Sequence, residues 1–224
     1  MRFPVVAEDE LREAECRFAQ ATDIPPIKQW RQTITGRPEQ ALHDASEIGE
    51  LACKWWVYFR QAGVFADNRP DLLATLQRDP KAEVSMMLVA KAPWFRPSEV
   101  LGACHFRRTW TGQITVDFLA AHPLAIGQSP LAVSELGRGL LYQVACLAQE
   151  IGAPRLWGEC TPGSQRFYRA LFPDSEVTDL FLVNRTEYLA FIEACRERWE
   201  GLRLRHQPGV PLGAPVLSQV AVPA

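Results

Sequence analysis

The sequence predicts a mixed α/β fold, in which one sheet carries helices on both faces. Three observations predict it. Helical stretches open the chain, and after Asp79-Pro80 the hydrophobic period changes to strand-like runs. A loop of small residues then leads into an alternation of helix, strand, short helix, strand and closing helix.

Taken in order, Glu8 to Ala21 places Leu11, Ala14, Phe18 and Ala19 at helical spacing behind an acidic first turn, which predicts a helix. Thr22 to Glu39 holds Pro25, Pro26, Gly36 and Pro38 and reads as an irregular connection. A second helix runs from about Ser46 to Gly63 on the line Leu51, Trp55, Phe59, and Pro70 to Arg78 adds a short one. Ala82 to Ala90 is apolar at nearly every position, as in a strand covered on both faces. Val100 to Trp110 and Gln113 to Ala121 follow as an antiparallel hairpin across Trp110-Thr111-Gly112-Gln113. A long loop, His122 to Val133, precedes a helix over Ser134 to Ile151 that Gly152-Ala153-Pro154 stops. Leu156 to Cys160, Ser164 to Phe172, Val177 to Val183 and Thr186 to Trp199 read as strand, helix, strand and helix, and 207–224 as a Pro-rich apolar tail or an edge strand.

Composition bounds the function. The 224 residues are 47% apolar, enough for one sizeable core, and 24 Lys plus Arg against 26 Asp plus Glu give a net charge of −2. Such a balance offers no long-range pull toward nucleic acid or an anionic membrane. No apolar run reaches membrane-spanning length and the first ten residues turn acidic, so the expected location is cytoplasmic, without nucleic-acid or membrane partners. Cys16, Cys53, Cys104, Cys146, Cys160 and Cys195 lack metal or disulfide spacing and read as reduced, mostly buried residues, with no metal expected.

Chemistry gathers at Leu136-Gly137-Arg138-Gly139, where a loop of small residues opens a helix. Free backbone N–H groups and the positive end of the helix dipole make such a start an anion site. Glycines allow close backbone approach to a pyrophosphate, Arg138 adds a charge, and the alternative is that the glycines only ease helix packing.

From Ala82 to Phe172 the chain resembles the core of the GNAT superfamily of acyl-CoA N-acyltransferases. Its pyrophosphate motif, Gln/Arg-x-x-Gly-x-Gly/Ala, is matched by Ser134-Glu135-Leu136-Gly137-Arg138-Gly139 in the glycines but not at the leading position. Its second signature, Asn-x-x-Ala-x-x-Phe-Tyr, is echoed by Thr161-Pro162-Gly163-Ser164-Gln165-Arg166-Phe167-Tyr168, with Thr161 in place of Asn and Phe172 where Gly is usual.

The resemblance implies a mostly antiparallel sheet with a V-shaped splay between the strand Gln113 to Ala121 and its parallel neighbour Leu156 to Cys160. Acetyl-CoA would enter that gap as co-substrate. Backbone groups of Leu119, Ala120 and Ala121 would hold the pantetheine arm and polarise the thioester, Leu136 to Gly139 would hold the pyrophosphate, and Ser164 would join the coenzyme side. Tyr168 would protonate the departing thiolate, the alternative being a Tyr packed on its own helix.

For the general base, Asp117 is the first choice, because it interrupts an apolar strand and shares a face with Leu119 and Ala121; Glu159 is the second. Either is alternatively a structural carboxylate paired with an arginine. His105 is a third proton acceptor or a hydrogen-bonded core residue, and His122 only begins the loop. The Lys54 to Phe59 cluster either walls an acceptor pocket or forms a buried helix face with one exposed ring.

The expected organisation is one acyltransferase domain, 1–206, with a helical acceptor-side region over 8–78 and an acyl-CoA core over 82–184. The expected activity is transfer of acetyl to a primary amine on a small molecule or protein. A longer acyl donor and a non-catalytic sensing or interaction role are the alternatives, and a homodimer through the C-terminal strands or the tail is the expected assembly if there is one.

Overall fold

A computed structural model describes residues 1–34 and 40–206, so Gly36, Pro38 and the tail expected over 207–224 lie outside the described residues. Among the described residues, eight strands form one sheet. In chain order they are β1 (Arg2–Ala7), β2 (Glu10–Phe18), β3 (Val84–Lys91), β4 (Val100–Arg108), β5 (Ile114–Ala121), β6 (Val133–Ser134), β7 (Arg155–Glu159) and β8 (Leu180–Asn184). The spatial order is β6-β1-β2-β3-β4-β5-β7-β8, antiparallel throughout except for the β5/β7 pair. The helices are α1 (Ile24–Lys28), α2 (Gln40–Gln61), α3 (Arg69–Arg78), α4 (Leu136–Glu150), α5 (Pro162–Leu171) and α6 (Arg185–Arg205).

The alternation of β3 explains its unbroken apolar sequence. Met86, Leu88 and Ala90 join the core that contains the buried face of α4, whereas Met87 and Val89 join a second core with Ala52, Cys53 and Trp56 of α2. A strand covered on both faces has no polar side. On the α4 side, α6 closes the layer: Trp199 stacks on Phe3, and the Tyr188 hydroxyl donates to the Ala153 carbonyl at 2.7 Å.

The N-terminus corrects the sequence reading. Residues expected as a helix from Glu8 form a hairpin, with Glu8 and Asp9 at φ of 53° and 60° in its turn. Ala14 and Cys16 are buried while Glu13 and Glu15 are exposed, a period of two that the coincidental spacing of Leu11, Ala14 and Phe18 masks. The region 8–78 is thus helical only beyond β2, where short 3-10 turns at Ala21–Asp23 and Trp30–Thr33 flank α1. The hairpin at 109–113 is as expected, with Gly112 at φ 80° donating its N–H to the Thr109 carbonyl.

Candidate functional site

The β5/β7 pair is short. Ile114, Thr115 and Val116 face Leu156, Trp157 and Gly158, and pairing ends there. The cause sits at the next residue. On the β4 side Val116 opposes Phe106 and Phe118 opposes His105, so Asp117 is the extra residue of a β-bulge. From that point Leu119 to Ala121 keep β4 as neighbour but have no β7 partner, and the sheet opens into a wedge.

A cleft of about 470 Å³ occupies the wedge. Its walls are Leu119, Ala120 and Ala121 of β5, the start of α4 from Glu135 to Arg138, and Ser164, Phe167 and Tyr168 of α5. The amides of Leu136, Gly137 and Arg138 have no partner among the described residues, since the first backbone bond of α4 is Gly139 N–H to Glu135 O at 2.8 Å. A Cβ on Gly137 would lie 3.1 Å from the Phe167 ring, so glycine is what lets α5 close over these amides.

Most of the expected coenzyme residues therefore meet at one cleft. Gly139 does not: a Cβ there would come within 2.1 Å of Phe3, and its N–H is spent inside the helix, so this glycine serves the packing of α4 on β1. Arg138 lines the cleft but is paired with Glu135 at 3.1 Å; Glu135, at φ 68°, also accepts from Arg198 at 2.9 Å and from Trp199 Nε1 at 3.3 Å. Ser164 is tied into a capping box with Thr161, whose N–H donates to Ser164 Oγ at 2.9 Å while Ser164 N–H returns a bond to Thr161 Oγ1 at 3.2 Å.

Tyr168 lies on the cleft with its ring stacked on Phe181 at 4.2 Å. Burial pushes its phenol pKa upward, so it stays protonated at neutral pH.

The expectation for Asp117 is corrected by the bulge. Leu119 and Ala121 belong to the α4-side core, whereas Asp117 turns to the α2 side beside His105 and Phe118. There it accepts a bidentate pair from Arg107, at 2.8–3.1 Å, and a bond from His105 Nδ1 at 3.1 Å, the arginine-paired alternative. His105 Nε2 meets Ser85 Oγ at 2.9 Å, and burial lowers its pKa despite the opposing carboxylate. His105 is thus a hydrogen-bonded core residue. Glu159 is exposed and is the first β7 residue beyond the last pair with β5, where the strands part.

The aromatic cluster of α2 packs on the sheet, with Trp56 buried, Trp55 and Phe59 half-buried and one ring exposed. Trp55 and Phe59 close over His105, Arg107 lies 5.1 Å from the Trp55 ring, and Tyr58 is 65% exposed. Sequence reading missed the α2 contribution to the cleft, made by Ala41, Asp44, Ala45 and Ile48. Its signal is two alanines one helical turn apart, small enough to leave room.

No family model matches the sequence, and no curated protein matches it. Among solved structures, the chain is similar to a GNAT-family protein from Desulfovibrio desulfuricans at 14% identity, covering 77% of this chain and 99% of that one with a TM-score of 0.47. It is also similar to a GNAT-family N-acetyltransferase from Escherichia coli in complex with CoA (16% identity, 77% and 81% covered, TM-score 0.44). A third is a GNAT-family acetyltransferase from Brucella melitensis in complex with acetyl-CoA (14%, 76% and 87%, TM-score 0.43). The chain's own sheet is mostly antiparallel with one short parallel pair that splays, the arrangement that the resemblance of its motifs implies. No helix among the described residues is long and apolar enough to cross a membrane.

Proposed function

We propose that the chain is an acyl-CoA dependent N-acyltransferase that moves acetyl from acetyl-CoA to a primary amine by direct attack. One observation carries the reading: the wedge beyond Val116 is shared by unpaired strand backbone, by the open amides of Leu136 to Arg138 and by Tyr168. Unpaired backbone at Leu119 to Ala121 suits an extended amide-bearing arm, which adds to the strand as another strand would. The α4 amides suit the pyrophosphate, with the helix dipole in place of the charge that Arg138 gives to Glu135.

In the transfer, the neutral amine attacks the thioester carbonyl, a backbone N–H of the opened strand stabilises the oxyanion, and the C–S bond breaks as nitrogen takes the acetyl group. Tyr168 gives its proton to the departing thiolate. Because Asp117 is engaged by Arg107 and His105, the amine proton leaves toward the exposed Glu159, beside the point where β5 and β7 part, directly or through water.

One observation favours a second reading, a non-catalytic ligand-binding protein: both Arg138 and Asp117 are neutralised by internal partners. Thermal shift with acetyl-CoA and longer acyl-CoAs, followed by thiol release over a panel of amines, separates the readings. Acetyl-CoA should raise the melting temperature. Tyr168→Phe should lower turnover at least tenfold while keeping that shift, which corresponds to ~1.4 kcal/mol or more of barrier. A shift without turnover on any amine selects the second reading, and no shift with any acyl-CoA rejects both.

A further inference from the structure

The wedge is lined from both faces of the sheet. Leu119 and Ala121 pack against the α4-side core and Ala120 belongs to the α2-side core, so a cleft that touches all three passes between the strands from one face to the other. On the α4 face it meets the open amides that suit a pyrophosphate. On the α2 face its wall is Ala41, Asp44, Ala45 and Ile48, at helical spacings of three, four and seven residues from the first, so one stripe of α2 is turned toward the cleft.

Asp44 is the one charge on that stripe, half-buried among apolar companions. Nothing among the described residues neutralises it. Three charged residues line the cleft, and two of them, Glu135 and Arg138, are paired with each other at 3.1 Å, with Glu135 held further by Arg198. Asp44 makes no ion pair among the described residues and accepts one hydrogen bond, from the uncharged Gln40 side chain at 2.8 Å. The α2 side of the cleft thus presents a single negative charge within an apolar wall.

We infer that Asp44 selects the acceptor: it binds a second cationic group on a molecule whose reacting primary amine is joined to that group by an apolar chain, as in a diamine. The inference rests on the acyl-transfer reading of the wedge. A carboxylate beside an ammonium favours the charged form, which has no lone pair to attack with, so the nitrogen held at Asp44 is not the one that is acetylated. The anchored nitrogen stays charged while the other end of the molecule loses its proton at the thioester. Ala41, Ala45 and Ile48 give the methylene chain between the two an apolar surface to cover. An uncharged group gains nothing from Asp44, and an anionic one is repelled.

Putrescine and cadaverine, set against n-butylamine and n-pentylamine of equal chain length, are the probes. With acetyl-CoA saturating, thiol release on the full chain should give each diamine a kcat/KM about tenfold or more above that of its monoamine, the worth of one charge-assisted hydrogen bond. Asp44→Asn should bring that ratio to near one, through KM rather than kcat. Glu47→Gln, an equal loss of charge at an exposed α2 position outside the cleft, should preserve the ratio. Binding is also read without turnover, by ligand-observed NMR of each diamine in the presence of CoA, where Asp44→Asn should weaken the diamine about tenfold. Diamines turned over no better than monoamines, or a preference that Asp44→Asn keeps, overturns the inference and leaves acyl transfer standing. Diamine binding that depends on Asp44, without turnover on any amine, keeps the cation subsite and removes acyl transfer instead. An acetyl-CoA thermal shift lost in Asp44→Asn would put the residue on the coenzyme and overturn the inference as well.

Discussion

Two buried polar groups, built around His105 and His122, end differently. Around His105 every bond is closed: Ser85 Oγ meets Nε2, Nδ1 meets Asp117, and Arg107 takes both oxygens of that carboxylate. Around His122 only Nδ1 is used, and Nε2 stands open beside an equally open Trp30. Burial depresses both rings' pKa values, so burial does not distinguish them. Completion does. A closed chain holds the β5 bulge, and with it the wedge, whereas the open pair leaves two buried donors without a partner among the described residues.

The comparison breaks most visibly at Asp117. Asp117→Ala leaves the Arg107 guanidinium and His105 Nδ1 unpaired under the α2 aromatics, and should destabilise the protein by about 3–4 kcal/mol in urea titration. A loss under 1 kcal/mol, order of magnitude, would mean the chain is not closed as described.

Acid sharpens the same contrast from the other side. The folded pKa of His122 lies below its ordinary value, so the unfolded state binds the proton first. Stability is therefore full above pH 6.5 and falls as pH drops toward about 4, by about 2–3 kcal/mol. His105 acts in the same direction, so the contribution of His122 is isolated as the flattening of the curve in His122→Asn. A variant whose acid limb matches the parent would assign the effect elsewhere.

How much of this was legible in the sequence follows from the physics of each feature. The strands and the long helix announce themselves through period, as do the α4 glycines, because side-chain alternation and helix starts are local. The wedge was legible only through motif resemblance. Its mechanical cause, one extra residue at Asp117, changes no local pattern, and the bulge turns Asp117 away from Leu119 and Ala121, with which simple alternation groups it. Gly139 looked like a phosphate residue because its reason, the Phe3 ring, comes from the other end of the chain. The first hairpin was hidden by charges that suit a helix start as well as a turn. Nothing local distinguishes the Trp30 and His122 pair, since an unpaired donor is defined by what the rest of the fold fails to bring.

A smaller test acts at the far end of the closed chain. Ser85→Ala removes the hydroxyl from His105 Nε2 and leaves a buried acceptor alone, at about 1 kcal/mol in denaturant titration. The shift should appear without change in acetyl-CoA binding, because Ser85 is remote from the residues lining the wedge.

The smallest expected effect is the most discriminating. Trp30→Phe shrinks a fully buried ring, which costs through lost packing, but it also removes a donor that has no partner, which gives about 1–3 kcal/mol back. Trp199→Phe makes the same chemical change at a less buried ring whose Nε1 does bond, to Glu135 at 3.3 Å. Burial alone ranks Trp30→Phe as the more damaging. Hydrogen-bond completion ranks it as the milder, with a change of stability near zero against about 1–2 kcal/mol for Trp199→Phe. Parallel urea titrations of the two variants decide between these rankings. If Trp30→Phe proves the costlier, its indole N–H is already satisfied, and the contrast between a closed and an open polar group fails with it.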